Sequence, residues 1–371
     1  MAVKFIIDSA GDIIPSDCEK LGVTHLPLMV RFGEEEYADA VNLTHQAFYE
    51  KLTTDPNHPT SSQVTPAAFE AAYKCLTANG DQVVVITISS KLSGTYQSAV
   101  IAADDYEGKV FVVDTLSATV GERILLLYGI RLAEQGLSAA EIAAKLDEEK
   151  SKVRIFATLD TLEYLKKGGR ISATTAVVGG LLNIKPAIAV QDGLVESVGK
   201  ARGNKAANAL LRQLVEKTNG IDFTKPMCLV YSGVNDDNLK KFLEEQGDLF
   251  AEHQGELPVA SVGCVIGTHV GPGAVGVIYF EKYPGEASLQ TNRKNQSAVI
   301  HGTLVFRIVW FPIIIINYST NLRSNIFPQR ADGPLFQPGD LGLGDVEHFR
   351  HVHLGAAVIE PEDQDLLLPV V

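Results

Sequence analysis

The segment QVVVITISSKLSGTYQSAVIAA, residues 82–103, decides the fold class. It begins with an uninterrupted apolar run, continues through a serine-rich turn and ends in a helical pattern. Two more runs rich in Val and Ile, VKFIID (residues 3–8) and KVFVVDT (residues 109–115), also alternate with helical patterns. Continuous apolar strands separated by helices are typical of a parallel sheet that is covered on both faces. We therefore predict an α/β protein whose N-terminal domain, residues 1–150, holds a parallel Rossmann-like sheet.

A second α/β domain is predicted for residues 151–282. The stretch RIFATLDTLEYLKKGG (residues 154–169) predicts a strand followed by a helix, and KPAIAVQDGLVESVGKAR (residues 185–202) predicts a hairpin that turns at Asp192-Gly193. Helix starts are also readable. Thr65-Pro66 is typical of an N-cap followed by proline, and Ser138 with Glu141 predicts a capping box.

Residues 283–371 form an atypical tail, which we expect to be poorly ordered or an artefact of the reading frame. They hold seven of the sixteen prolines and the only tryptophan, with no convincing periodic element. Three histidines in EHFRHVHLG raise the question of a metal site, but their spacing fits neither one helix face nor one strand face. We therefore expect a solvated cluster without a metal at His348, His351 and His353.

Composition and charge exclude several classes of protein. The net charge of −13 over 371 residues argues against nucleic acid or an anionic membrane surface as a partner. The apolar run at residues 304–318 is short and interrupted by Arg307 and Pro312, so we predict no stable membrane insertion. The N-terminus reads as a strand rather than a signal peptide, and we expect a cytoplasmic protein. Reduced, buried thiols without a disulfide or zinc site are predicted for Cys18, Cys75, Cys228 and Cys264.

The stretch IGTHVGPGAVGV, residues 266–277, contains a G-x-G-x-x-G spacing at Gly271, Gly273 and Gly276. A dinucleotide-binding fingerprint needs a strand before these glycines and a helix after them. Here the following residues, VGVIYFEK, have the composition of a strand. We therefore interpret the spacing as a tight turn that positions His269, and not as a cofactor loop.

Two hydroxyl-rich turns are better candidates for a binding site. They are TSSQVT (residues 60–65) and SKLSGT (residues 90–95), and each leads into a predicted helix. Helix N-termini attract anions through free N–H groups and the helix dipole, and we expect both turns at the carboxyl ends of parallel strands. Ordinary N-capping by serine and threonine remains an alternative for either turn.

Two basic stretches are also open to more than one interpretation. LKKGGRIS (residues 165–172) has the form of a helix end, which leaves only Arg170 without an explanation. GKARGNKA, with Lys200, Arg202 and Lys205, is either a solvated surface or a docking patch.

Five segments together carry a family resemblance. IIDSAGDIIP, SSQVT, SKLSGTYQSA, KKGGRIS and IGTHVGPGAVGV, in this order, resemble the DegV family of bacterial fatty-acid-binding proteins over residues 1–282. The resemblance implies two α/β domains with a tunnel at their interface that holds one long-chain fatty acid. It also implies a non-enzymatic role as the lipid-carrying subunit of a two-component fatty acid kinase. In that system a separate ATP-dependent kinase subunit converts the carboxylate to an acyl phosphate for phospholipid synthesis, and the carrier needs no cofactor.

The resemblance assigns roles to individual residues. It implies that Ser61, Ser93 and His269 bind the carboxylate and that the neighbouring residues Ser62, Gly94, Thr95, Gly271 and Gly273 support the turns. Arg170 and Arg202 become candidates for contact with the kinase or its phosphates.

Two departures from the family pattern stand out. Val64 replaces a usual proline, which we expect to loosen the first turn. A usual Gly-x-Gly after the third strand reads Gly121-Glu122-Arg123 here, and we expect the arginine to narrow or reshape the helix entry and thereby alter the acyl preference.

An enzyme is the main alternative from another class. A serine hydrolase would use Ser93 and His269, with Asp114 as a third member, although KLSGT lacks the G-x-S-x-G elbow of that class. A nucleotide-binding or flavin-binding regulator is a further alternative, but no phosphate loop supports it.

Overall fold

The computed structural model describes residues 2–171 and 183–283. Along these residues the strands are β1 (Val3–Asp8), β2 (Val23–Leu26), β3 (Met29–Phe32), β4 (Glu35–Ala38), β5 (Thr60–Ser62), β6 (Gln82–Thr87), β7 (Val110–Asp114), β8 (Val153–Thr158), β9 (Ile184–Gln191), β10 (Leu194–Arg202), β11 (Cys228–Tyr231), β12 (Val259–Ser261) and β13 (Val275–Phe280). The α-helices are α1 (Pro15–Leu21), α2 (His45–Thr54), α3 (Pro66–Thr77), α4 (Thr95–Ala102), α5 (Val120–Glu134), α6 (Ala139–Glu149), α7 (Glu163–Lys167), α8 (Asn204–Glu216), α9 (Asp237–Gln246) and α10 (Cys264–Val270).

The first half contains the predicted parallel sheet, in the order β2-β1-β6-β7. Each neighbouring pair in it is parallel. The central strand β6 is buried from Val83 to Ile86, since α3, α4, α5 and α6 pack against this sheet. The α/β fold class is therefore confirmed.

A small antiparallel sheet, β4-β3-β5, was not expected from the sequence. Strand β5 is the first hydroxyl-rich turn, and it pairs with β3 so that Ser61 lies opposite Val30. Our expectation that both such turns follow parallel strands is thus wrong for the first one. Thr60, Ser61 and Ser62 are all polar, so β5 lacks the alternation of apolar and polar residues that predicts a strand. Its formation therefore depends on pairing with β3 and not on its own sequence.

The second half forms a six-stranded sheet in the order β10-β9-β8-β13-β11-β12, antiparallel except for the last pair. The predicted hairpin is confirmed. Asp192 (φ 47°) and Gly193 (φ 81°) both adopt positive φ between β9 and β10, as a two-residue turn of this kind requires.

One cluster of buried apolar residues joins the two halves. It contains Ile6 and Ile86 of the parallel sheet together with Ile155, Val230 and Ile278 of the six-stranded sheet. The two sheets therefore share a core, and the domain boundary near residue 150 stays a prediction. The predicted tail lies outside the described residues from position 284 onwards, and so do its three histidines.

Local predictions about helix caps are also confirmed. Thr65 caps α3 ahead of Pro66, and Ser138 with Glu141 forms the capping box of α6. All four cysteines are free, but Cys75 is exposed on α3, which corrects the expectation that every thiol is buried. Within residues 2–171 and 183–283, no helix combines the length and the apolarity needed to cross a bilayer.

Candidate functional site

A cavity of about 370 Å³ lies within the shared core, and side chains of both halves line it. This volume falls in the range of small-molecule sites, which are typically mostly apolar with a few polar groups. The wall is formed largely by aliphatic side chains, among them Leu28, Ile88, Ile155, Val230, Val265 and Ile278. The arrangement suits a long apolar ligand.

Polar side chains also reach this cavity. Its lining includes Ser61, Ser93 and His269, the three residues assigned to the carboxylate, and Arg170. Ser62 and Gly94 line it as well, whereas Thr95, Gly271 and Gly273 are not among the lining residues, so their supporting role stays a prediction. The fold thus brings together groups that are more than 200 residues apart in sequence.

His269 lies in the last turn of α10, rather than on the glycine turn that follows. Its Nε2 is 2.9 Å from Ser61 Oγ, while Nδ1 is buried without a hydrogen-bond partner among the described residues. Burial, and then the nearby charges of Arg170 and His58, lower the pKa of His269 to about 4. The imidazole is therefore neutral at pH 7, with one nitrogen that donates and one that accepts.

Gly168 has no side chain, and this leaves room for the imidazole of His269. A Cβ at that position would lie 2.1 Å from His269 Nδ1. The KKGG segment, read from the sequence as a helix end, therefore also shapes the site. Gly169 does fulfil the expected role, with a positive φ of 69° after α7.

Ser93 lies in the turn between β6 and α4. Its Oγ is 2.9 Å from Thr95 Oγ1 and accepts the Thr95 N–H at 3.3 Å. Thr95 Oγ1 in turn accepts the N–H of Val64 at 3.4 Å. Thr95 therefore connects the two hydroxyl-rich turns, and the residue that replaces the family proline supplies an N–H that proline lacks.

The glycine beside Ser93 gives room to a neighbouring side chain. A Cβ at Gly94 would lie 2.0 Å from Gln63 Oε1. Gln63 also lines the cavity, and its Nε2 donates to Ser98 Oγ at 2.8 Å. Sequence reasoning missed Gln63, although it stands inside the SSQVT segment.

Two buried aspartates hold the start of α10, the helix that carries His269. Asp12 Oδ1 accepts the N–H of Gly263 at 2.8 Å, and Asp39 Oδ1 accepts the N–H of Cys264 at 3.0 Å. Asp12 Oδ2 also accepts the hydroxyl of Thr119 at 2.5 Å. Thr119 lines the cavity with a φ of 51°, a rare conformation for a β-branched residue. Asp12 therefore connects the cavity wall to α10.

Two buried aspartates of the DSAGD segment, Asp8 and Asp12, have raised pKa values. Burial raises the pKa of Asp12 to about 8 and that of Asp8 to about 7. The Asp8 carboxylate accepts the N–H groups of Ala10 and Ile88. Sequence reasoning used DSAGD only as a family signature. The signal available there was a carboxyl group at the end of a buried strand, Asp8, and a second one four residues later, Asp12.

Gly121, Glu122 and Arg123 lie in the first turn of α5, and none of them lines the cavity. An effect of Arg123 on the acyl preference therefore stays a prediction. Glu122 is fully buried in the first turn of α5, and burial raises its pKa well above the usual value. Gly121 remains a close-contact position, because a Cβ there would lie 2.7 Å from Ile155 Cδ1.

Arg170 and Arg202 are not brought together. Arg170 lines the cavity and donates from Nε to Leu92 O (3.1 Å) and from Nη1 to Gly168 O (2.6 Å). Arg202 is exposed at the end of β10, opposite Ile184. It lies roughly 23 Å along that strand from the cavity-lining Val195, at about 3.3 Å per residue.

A catalytic triad is not assembled. His269 Nε2 bonds Ser61 instead of Ser93. Asp114 Oδ1 accepts the backbone N–H groups of Ser90 and Leu116, at 3.0 and 3.1 Å. The contacts that activate a serine nucleophile are therefore missing among the described residues, and the hydrolase alternative gains no support.

The strand predicted at the end of the G-x-G-x-x-G spacing is confirmed as β13, which begins at Val275 and contains Gly276. Helix α10 precedes Gly271, so the order is helix then strand, the reverse of a dinucleotide loop. Gly271 (φ 69°) ends the helix, and Gly273 (φ 87°) turns the chain into the strand. A Cβ at these positions would lie within 2.5 Å of Tyr164 and Asp160, respectively.

Comparisons with known proteins agree with this geometry. A family model described as "Uncharacterised protein, DegV family" matches residues 2–282. A DegV domain-containing protein of Caldanaerobacter subterraneus is 34% identical over 288 residues, which cover 76% of this chain and 99% of the relative.

Solved structures of fatty-acid-binding proteins are also similar to this chain. A DegV family protein from Thermus thermophilus, described by its fatty acid binding, is 32% identical with a TM-score of 0.67, covering 76% of this chain and all of that one. A stearic acid-binding protein from Eubacterium ventriosum is 29% identical with a TM-score of 0.65, covering 75% of this chain and 98% of that one.

Proposed function

This chain belongs to the DegV family, and we propose that it holds one long-chain fatty acid in the cavity described above. The observation that carries the proposal is an aliphatic cavity whose lining also includes Ser61, Ser93 and His269. Such a cavity matches a ligand with one polar end and a long apolar remainder. The fatty acids bound by similar proteins have this composition.

The affinity in this proposal comes mainly from the acyl chain. Burial contributes about 0.8 kcal/mol per methylene, so about fourteen methylenes contribute on the order of 11 kcal/mol before ordering costs are subtracted. Neutral donors then suffice at the carboxylate, since they need only orient it and offset its lost hydration.

The carboxylate is held at the Ser61–His269 pair. One carboxylate oxygen accepts from Ser61 Oγ and His269 Nε2, and Ser93 Oγ donates to the other. A neutral His269 is suited to this task because its charge does not depend on pH near 7. The positive charge of Arg170, which is close enough to perturb His269, stabilises the bound anion.

The finer part of the proposal concerns the fate of the bound acid. As a cytoplasmic carrier without catalytic residues or cofactor, the protein presents the carboxylate to a separate ATP-dependent kinase subunit. A carboxylate oxygen attacks the γ-phosphorus of ATP, and the products are an acyl phosphate and ADP. Arg170 at the cavity is the candidate for contact with the phosphates, and Arg202 is left as a candidate for docking elsewhere.

Mass spectrometry of an organic extract from the purified protein tests this function. We expect one equivalent of a long-chain fatty acid. Loading should fall in Ser61→Ala, Ser93→Ala and His269→Ala, because each removes a donor to the carboxylate. Ser90→Ala is the matched control, since Ser90 is exposed in the same turn as Ser93 and does not line the cavity.

Two results would contradict the proposal. One is an empty extract from protein that also fails to take up added palmitate. The other is stoichiometric labelling of Ser93 by a fluorophosphonate, because an activated serine belongs to a hydrolase and not to a carrier.

A further inference from the structure

In the six-stranded sheet, the pairing of β8 and β9 ends at Phe156 and Ala189. We call the unpaired stretch that begins at Ile155 and Val190 the seam. The two antiparallel strands are paired only where Phe156–Thr158 face Ala187–Ala189. Continuing the same register would place Ile155 opposite Val190, but this pair is not part of the ladder. Both residues are paired on their other side, to β13 and β10. The separation is therefore local to the seam, and it does not reflect a frayed strand end.

A second cavity lies on the other side of this seam. It is a groove of about 540 Å³, which we call the outer groove. Its lining includes Leu116, Arg154, Phe156, Gln191, Lys217 and Glu281. Ile155 and Val190 line both the outer groove and the acyl cavity. The two spaces thus meet at the same two residues.

Side chains rather than backbone hydrogen bonds close the seam. Ile155 is 5% exposed and Val190 is half-buried. Changing the rotamer of an aliphatic side chain is fast and breaks no ladder bond, whereas separating paired strands would leave buried N–H and C=O groups without partners. A ligand can pass here at lower cost than at any paired part of the sheet.

We propose that the seam is a second opening of the acyl cavity, and that the protein takes long-chain fatty acids with a polar group at the ω end. This inference rests on the proposed function, with the carboxylate at Ser61 and His269. The chain passes between Ile155 and Val190, and its ω hydroxyl or ω carboxylate reaches the outer groove.

The chemistry of the outer groove fits such an end group. Gln191, Asp192 and Lys217 are exposed there, so a polar end group keeps its hydration. Inside the aliphatic cavity the polar end group would instead lose its hydration without gaining a hydrogen-bond partner. Lys217 adds a cation that attracts a carboxylate in particular.

Binding of palmitic acid and of docosanedioic acid, measured by titration calorimetry on the delipidated full chain, tests the inference. We expect the wild type to bind both with dissociation constants within about tenfold of each other. Gln191→Trp fills the outer groove without touching the acyl cavity, and it should weaken the diacid at least about tenfold while leaving palmitic acid unchanged. Lys217→Glu should weaken only the diacid. Gln97→Trp, an exposed position on α4, is the matched control for the added indole.

The outcomes separate the two proposals. A wild type that binds palmitic acid but rejects docosanedioic acid overturns the second opening and leaves the carrier function intact. Diacid binding that neither groove variant weakens places the ω end elsewhere and also overturns it, as does equal weakening of both ligands. Failure to bind either acid overturns the carrier function, and the inference with it.

Discussion

Adding one methyl group at Gly168 would test whether the position of His269 controls binding of the head group. Gly168 has φ −75° and ψ −7°, so alanine fits the backbone there without strain. The new Cβ would stand 2.1 Å from His269 Nδ1 and 2.7 Å from Cε1, whereas ordinary contact begins at 3.4 Å. The difference between 3.4 and 2.1 Å means that the imidazole must retreat by roughly 1.3 Å.

A shift of that size removes the imidazole from its hydrogen-bonding position. The present distance from Nε2 to Ser61 Oγ is 2.9 Å, and a displacement of this order in either direction is larger than the range of hydrogen-bond distances allows. A hydrogen bond to a charged group contributes about 1.5–3 kcal/mol. Losing the bond from His269 to the carboxylate should therefore weaken fatty acid binding by about 10- to 150-fold.

A competition titration against a fluorescent fatty acid measures this loss, with thermal unfolding recorded in parallel. Gly247→Ala is the matched control, since Gly247 has similar dihedral angles (φ −62°, ψ −22°) and open space where the Cβ would be. Wild-type affinity in a folded Gly168→Ala protein would refute the reasoning. It would mean either that His269 does not contact the carboxylate or that the imidazole moves without loss.

Two further predictions concern the supports of the site. Burial raises the pKa of Asp12 to about 8 from 3.8, so the folded state keeps a proton that the unfolded state releases, and stability falls as the pH rises between these values. In Asp12→Asn, the free energy of unfolding should depend less steeply on pH, by up to about 1.4 kcal/mol per pH unit. Urea unfolding of the wild type and the variant between pH 5 and 8 measures this dependence. The same slope in both proteins would contradict the prediction. Gly271→Ala should lower the free energy of unfolding by about 2 kcal/mol or more, because φ is 69° and the Cβ would lie 2.3 Å from Tyr164. Calorimetric unfolding measures this, and a loss below about 0.5 kcal/mol would show that the turn relaxes.

Several features of the protein could be predicted from sequence because each depends on neighbours along the chain. Continuous apolar runs predicted the parallel strands β1, β6 and β7, and the caps of α3 and α6 followed from residue types at fixed offsets. The hairpin at Asp192-Gly193 followed from its turn residues. The G-x-G-x-x-G spacing was separated from a cofactor loop by the strand that follows it.

The roles of the site residues needed more than local pattern. No periodicity connects Ser61, Ser93 and His269; their common purpose was implied by the family resemblance, and the carboxylate contacts stay a prediction. Sequence reasoning also assigned TSSQVT to the end of a parallel strand, although it pairs with β3, which is a non-local choice. The contacts of Asp12 and Asp39 with the start of α10 were not predicted, because their partners, Gly263 and Cys264, lie more than 200 residues away.

The sequence by itself determined the α/β class, most element types and the turns, since these follow from side-chain period, capping and dihedral preference within a few residues. Only the tertiary structure decided that Ser61 meets His269, that Gly168 clears a space for the imidazole, and that Arg202 lies away from the cavity. The physical reason is that contacts between distant segments depend on how two sheets pack over a common core. That packing is a property of the whole buried surface, which no short stretch of the chain encodes.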